Sequence, residues 1–134
     1  MAAQEKHSFE PKPNDLQKDY LYLIGDTYLQ NNHFDKAITI FDLIIALFED
    51  DAHATVCKGF SQMKLCNYQD AQETVSSIKE SDLDMRHKAI LFLILGRTNQ
   101  YLGNKKDSEA YTLRYTKIRN ELRYDMQAGV RYEF

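Results

Sequence analysis

The chain has 134 residues, a length that suits a single domain with a substantial hydrophobic core. Hydrophobic residues make up 43% of the sequence and charged residues 28%, as in ordinary globular proteins, so we do not expect intrinsic disorder. Its five glycines and two prolines are too few to supply the turns of a many-stranded sheet, so helices should dominate. The formal net charge of −3 gives no general attraction to nucleic acid, which we do not expect as a partner.

Residues 1–17 are predicted to form a mobile tail, because Pro11 and Pro13 disfavour helix there. Asn14 or Asp15 is a suitable cap for the helix that follows. The tail lacks the apolar stretch typical of a secretory signal, and no apolar run in the sequence is long enough to cross a bilayer. We therefore expect a cytoplasmic protein without membrane insertion.

The two cysteines, Cys57 and Cys66, are predicted to lie near opposite ends of one helix. That spacing separates their Cα atoms by roughly 13 Å, whereas a disulfide needs less than about 7 Å. Free thiols are typical of a reducing compartment, which agrees with the cytoplasmic prediction.

Amphipathic helices recur along the chain from Leu16 onward, and two sets of small residues recur with them. In the first helix of each pair these are Gly25, Gly59 and Gly96, and in the second helix they are Ala37, Ala71 and Ser108. Both sets show the same intervals of 34 and 37 residues. Because two landmarks shift together, the sequence predicts three copies of one helix-turn-helix unit, with a three-residue extension within residues 80–86.

This pattern resembles the tetratricopeptide repeat (TPR), a helix-turn-helix unit with a period of about 34 residues. The small residues would let the paired helices cross with their backbones nearly in contact. The resemblance implies an all-α fold, an α-solenoid of three degenerate repeats with short N- and C-terminal extensions. The repeats would span residues 18–51, 52–88 and 89–122, and residues 123–134 would cap the last repeat or bind a partner. The alternative is an unrelated helical bundle, which has no need to repeat the small-to-small interval three times.

The resemblance also implies which side chains line the concave groove that the first helices form. These are Asp19, Tyr22, Asp26, Leu29 and Gln30; His53, Val56, Phe60, Met63 and Lys64; and Ile90, Leu93, Arg97, Gln100 and Tyr101. Eight of these fifteen residues are apolar or aromatic, so we expect the groove to take apolar anchors of a protein partner. Packing against the protein's own tail or against another subunit is the alternative. Asp26 argues against a groove that binds the terminal carboxylate of a heat-shock chaperone, since it would repel that group.

The sequence offers no catalytic or metal-binding motif. His7, His33 and His87 have no histidine or cysteine three or four residues later, while His53 and Cys57 share a helix face but lack further ligands nearby in sequence. It also has no glycine-rich phosphate loop and no nucleophile motif. We therefore expect neither enzyme activity nor a cofactor nor a bound metal.

In size and layout, the chain is similar to the small cytosolic TPR chaperones of bacterial type III secretion. That resemblance implies binding of a secretion substrate or export component. The sequence leaves both a hetero-oligomer and a homodimer open. A non-catalytic adaptor subunit of a larger complex is the main alternative. An RNA-binding repeat protein is a third hypothesis, prompted by the basic residues between Lys105 and Arg123, although such residues are typical of a solvated helix face.

Overall fold

The computed structural model describes residues 14–49 and 51–127. This part of the chain contains six α-helices, one short 3₁₀ helix at Glu80–Asp82 and no β-strand. The helices are α1 (Asp15–Gln30), α2 (Phe34–Leu47), α3 (Ala52–Lys64), α4 (Tyr68–Val75), α5 (Met85–Tyr101) and α6 (Lys105–Gln127). The predicted all-α class is confirmed. Among the described helices, none combines the length and the apolar character that a membrane span requires.

The two ends of the helical part differ slightly from the predicted boundaries. Asn14 caps α1, because its side chain accepts the Gln17 N–H at 2.9 Å while the Gln17 side chain accepts the Asn14 N–H at 2.9 Å. The helix therefore begins at Asp15, two residues before the predicted end of the tail at residue 17. At the other end, α6 continues through Gln127, beyond the predicted repeat end at residue 122. The rest of the predicted tail and residues 128–134 of the predicted C-terminal segment lie outside the described residues.

The three turns that join the helices of each pair share one backbone conformation. The residue with positive φ is Asn32 in the first turn (59°), Cys66 in the second (65°) and Gly103 in the third (85°). The next N–H along the chain closes each turn, in the bonds from His33 to Tyr28 O (2.8 Å), Asn67 to Gln62 O (2.9 Å) and Asn104 to Asn99 O (2.8 Å). These turns recur at the same intervals of 34 and 37 residues as the small residues. The sequence period is therefore also a period in backbone conformation.

The prediction that the two cysteines lie on one helix is wrong. Cys66 lies beyond the last residue of α3, Lys64, so the two cysteines do not share a helix. Both are free thiols, with Cys57 buried and Cys66 exposed.

At each glycine of the first helices, the partner helix comes too close for a side chain. A Cβ placed on Gly25 would lie 2.8 Å from Phe41 Cζ, on Gly59 2.5 Å from Val75 Cγ1, and on Gly96 2.8 Å from Thr112 Oγ1. Ala37 and Ala71 are fully buried on the facing helices. The Ser108 hydroxyl donates a hydrogen bond to Gly96 O at 2.8 Å. Small residues thus permit the close crossing of α1 with α2, α3 with α4, and α5 with α6.

The core consists of two clusters that meet at α3. One cluster, which includes Phe41 and Ile44, joins α2 to Ala54 and Cys57 of α3. The other joins α3, α4 and α5 through Val56, Met63, Ala71, Val75, Leu83, Leu91, Phe92 and Ile94. Each helix packs on the next along the chain, and α3 also packs on α5. The first helices of the second and third pairs are therefore neighbours.

Candidate functional site

A cleft of about 670 Å³ opens where α1, α3 and α5 come together. Its walls are Asp15, Lys18, Asp19, Tyr22, Leu23 and Asp26 from α1, Asp51, His53 and Cys57 at the start of α3, and Asp84 and His87 at the start of α5. Five of these eleven residues are aspartates and one is a lysine. The cleft therefore presents mainly negative charge.

Asp51 is the residue that fixes α1 against α3. Its carboxylate caps α3 by accepting the Ala54 N–H at 2.9 Å, accepts a short hydrogen bond from the Tyr22 hydroxyl, and lies 2.6 Å from Lys18 Nζ. Its side chain is only 7% exposed. Burial opposes ionisation of Asp51, but the bonds from Lys18, Tyr22 and Ala54 outweigh it and hold the pKa below its usual value. Burial and the negative Asp51 together raise the pKa of Tyr22, so that hydroxyl remains a donor.

Asp84 has the corresponding position at the start of α5, where it meets two histidines. It caps the helix by accepting the His87 N–H at 2.8 Å, and its Oδ1 lies 2.8 Å from His87 Nδ1. Its Oδ2 lies 3.6 Å from His53 Nε2. The two imidazole rings are perpendicular, with 4.3 Å between centroids. Burial lowers the pKa of His87 despite the nearby Asp84, so its ring is neutral at pH 7.

Among the described residues, His53, Asp84 and His87 form a group of potential metal ligands whose donor atoms all lie within 4.8 Å of one another. Sequence reasoning missed this group, because it compared only neighbouring positions within one helix. The sequence carries one signal for this group, the three-residue extension predicted within residues 80–86. Met85 begins α5 eleven residues before Gly96, whereas Ala52 begins α3 seven residues before Gly59. The additional turn of α5, next to the predicted extension, brings Asp84 and His87 to His53.

Cys57 lies in the same cleft but is not an activated nucleophile. Burial is the main reason that its pKa is raised above the usual value, and the carboxylates of Asp26, Asp51 and Asp84 raise it further. The reactive form of cysteine is the thiolate, which this environment disfavours. The cleft therefore does not favour covalent catalysis by Cys57.

The predicted groove residues are divided between the cleft and the core. Asp19, Tyr22, Asp26 and His53 line the cleft. Val56 and Met63, both predicted to line the groove, are instead buried in the core at 0% and 4% exposure, so in this fold their side chains are not accessible to a partner. The physical reason is that α3 lies in the middle of the fold, with α2, α4 and α5 packed around it.

The remaining predicted groove residues lie outside the cleft. Leu29, Phe60 and Ile90 are partly buried against the two core clusters. Leu93 is half-buried and Arg97 is exposed. Tyr101, which is 65% exposed, stacks on Tyr68 with 4.0 Å between ring centroids. The face of the first helices is thus less apolar than predicted, and its cleft is acidic.

The basic region of α6 is partly engaged within the protein. The Arg114 guanidinium lies 4.0 Å from the centre of the Phe92 ring and 2.6 Å from Glu80 Oε2. Arg119 lies over the Tyr115 ring at 5.6 Å. These contacts favour a structural role for both arginines over RNA binding.

Comparison with known protein families, curated proteins and solved structures gave no match to this chain.

Proposed function

We propose that this chain is a non-catalytic, TPR-type protein-binding module that holds a segment of a partner protein in the cleft between α1, α3 and α5. The carrying observation is that one cleft receives side chains from the first helix of all three helix pairs. The recurring turns and glycine crossings, at intervals of 34 and 37 residues, support the assignment to TPR-like repeats. Arrays of this kind bind extended segments along the face of their first helices.

The charge of the cleft identifies the kind of segment that it suits. Asp15, Asp19, Tyr22 and Asp26 follow one another along a single stripe of α1, because their spacing corresponds to one helix face. Lys18 and Asp51 neutralise each other at the side of this stripe. A partner segment with lysine or arginine side chains would be complementary, and a flanking apolar residue would contact Leu23, which is 64% exposed.

The biological role that we propose is that of a small cytoplasmic chaperone of bacterial type III secretion. Such a protein would hold a secretion substrate or export component before transport and cover a segment that otherwise aggregates. This step depends on the resemblance in repeat layout and chain length. An adaptor would use the same cleft but would remain in its complex, so the lifetime of the complex distinguishes the two roles.

The test begins with isolation of the tagged full chain and its bound partners from the native organism. Mass spectrometry then identifies the partners. Binding of the purified partner is then compared for wild type, Asp19→Lys and Glu109→Lys. Asp19 is an exposed residue of the cleft stripe, whereas Glu109 is exposed on α6, away from the cleft, so the two variants have the same change of charge. Asp19→Lys should weaken binding by about tenfold or more and Glu109→Lys should not. Equal binding by all three proteins would rule out the cleft as the binding surface.

A further inference from the structure

We propose that the cleft binds a divalent transition-metal ion such as Zn²⁺ through His53, Asp84 and His87. The three residues lie at the starts of α3 and α5, which are adjacent, since the rings of His53 and His87 are 4.3 Å apart. Their donor atoms lie within 4.8 Å of one another. This inference goes beyond partner binding and does not depend on it.

The geometry needs only a small adjustment to hold an ion. Tetrahedral ligands at about 2.0–2.1 Å from Zn²⁺ lie roughly 3.3 Å from one another. Asp84 Oδ2 and His53 Nε2 are already 3.6 Å apart, and Asp84 Oδ1 lies 2.8 Å from His87 Nδ1. Side-chain rotation must therefore bring the donors together by no more than about 1.5 Å. His53 is able to rotate, since its side chain is 37% exposed.

The donor chemistry indicates the class of ion. Two imidazoles and one carboxylate are a ligand set that Zn²⁺ and its neighbours in the first transition row accept, whereas Mg²⁺ and Ca²⁺ prefer oxygen ligands alone. The other aspartates of the cleft, including Asp26, add negative charge that attracts a cation. Three protein ligands leave one position for water or for a side chain of a bound partner.

The test is calorimetric titration of the untagged full chain, first stripped of metal by a chelator, with Zn²⁺ and separately with Mg²⁺. His53→Gln and Asp84→Asn each remove a ligand, and asparagine keeps the helix cap that Asp84 provides. His33→Gln is the matched control, because His33 is an exposed histidine in the turn between α1 and α2. Circular dichroism of each variant verifies the fold.

We expect one Zn²⁺ per chain, no binding of Mg²⁺, and at least about tenfold weaker Zn²⁺ binding in His53→Gln and Asp84→Asn but not in His33→Gln. The proposal is overturned if Zn²⁺ does not bind or if either ligand variant binds it at full strength. Nuclear magnetic resonance of the wild-type chain gives a second readout that needs no variant. Zn²⁺ should shift the ring resonances of His53 and His87 and leave those of His33 in place, and a shift of His33 alone contradicts the site.

Discussion

Asp51 joins α1 to α3 through several side-chain bonds. It caps α3 through Ala54, accepts from Tyr22 and pairs with Lys18. Replacement by alanine should lower the free energy of unfolding by about 2–3 kcal/mol, since a cap and a buried hydrogen bond are lost together. Asp51→Asn keeps the cap and an acceptor for Tyr22, so we expect roughly half that loss. Urea unfolding measures both, and equal losses would show that the ion pair with Lys18 dominates.

The pKa of Asp26 is shifted in the direction opposite to that of Asp51. Burial raises its pKa above the usual value, and the nearby His87 only partly offsets this effect. Because the folded-state pKa is the higher one, the carboxylate of Asp26 destabilises the fold at pH 7, and the cost disappears as the pH falls through that pKa. Asp26→Asn should therefore be more stable than wild type at pH 7, by less than about 1 kcal/mol for a half-exposed group. Unfolding measured over a pH series should show this difference shrinking in acid, and a constant difference would contradict the assignment.

At the scale of the helix pair, the turns differ in how well their residues suit a positive φ. Gly103 accepts this conformation freely, whereas Cys66 carries a side chain into it at φ 65°. Cys66 is exposed, so its replacement removes no buried contact. We expect Cys66→Gly to stabilise the protein by about 1 kcal/mol and Gly103→Ala to destabilise it by a similar amount. Thermal unfolding tests both changes, with Cys66→Ser as the control that removes the thiol but keeps the Cβ.

Gly59 lies at the crossing of α3 with α4. An added Cβ on Gly59 would lie 2.5 Å from Val75 Cγ1, so Gly59→Ala requires the Val75 side chain or the helix that carries it to move. We expect a loss of about 1–3 kcal/mol, despite the better helix propensity of alanine. In the double variant Gly59→Ala, Val75→Ala the clash is gone, so the two losses should not add. Additive losses in chemical unfolding would place the cost of Gly59→Ala elsewhere than at this crossing.

Local patterns predicted the elements well, because helix period and turn conformation depend on neighbouring residues. The all-α class and the recurrence of helix-turn-helix units at intervals of 34 and 37 residues both agree with the structure. The site did not follow, since it depends on how helices from different pairs pack side by side. The predicted groove includes Val56 and Met63, which lie in the core. His87 has no ligand partner nearby in sequence, yet its ring lies beside that of His53. Apolar side chains on a central helix can face a groove or a neighbour, and the sequence does not distinguish these.

For the whole molecule, the arrangement of the core predicts unequal stability along the chain. Both core clusters include residues of α3, whereas α1 contributes only partly buried apolar residues to one of them. In addition, α1 leaves Leu16, Tyr20 and Leu23 exposed, at 77%, 64% and 64%. In a fold whose helices contact mainly their neighbours, stability varies from unit to unit and a terminal helix can open on its own.

Native-state hydrogen exchange measures this difference in local stability between helices directly. We expect the amides of α3 and α5 to exchange slowest and those of α1 to exchange at least about tenfold faster, because α1 can detach without opening the cluster around Phe92. Asp51→Ala should accelerate exchange in α1 further and leave α5 nearly unchanged, since Asp51 ties α1 to α3 and has no bond to α5. Equal acceleration in all helices would mean that the chain unfolds as one cooperative unit, and that the cleft cannot open without loss of the whole fold.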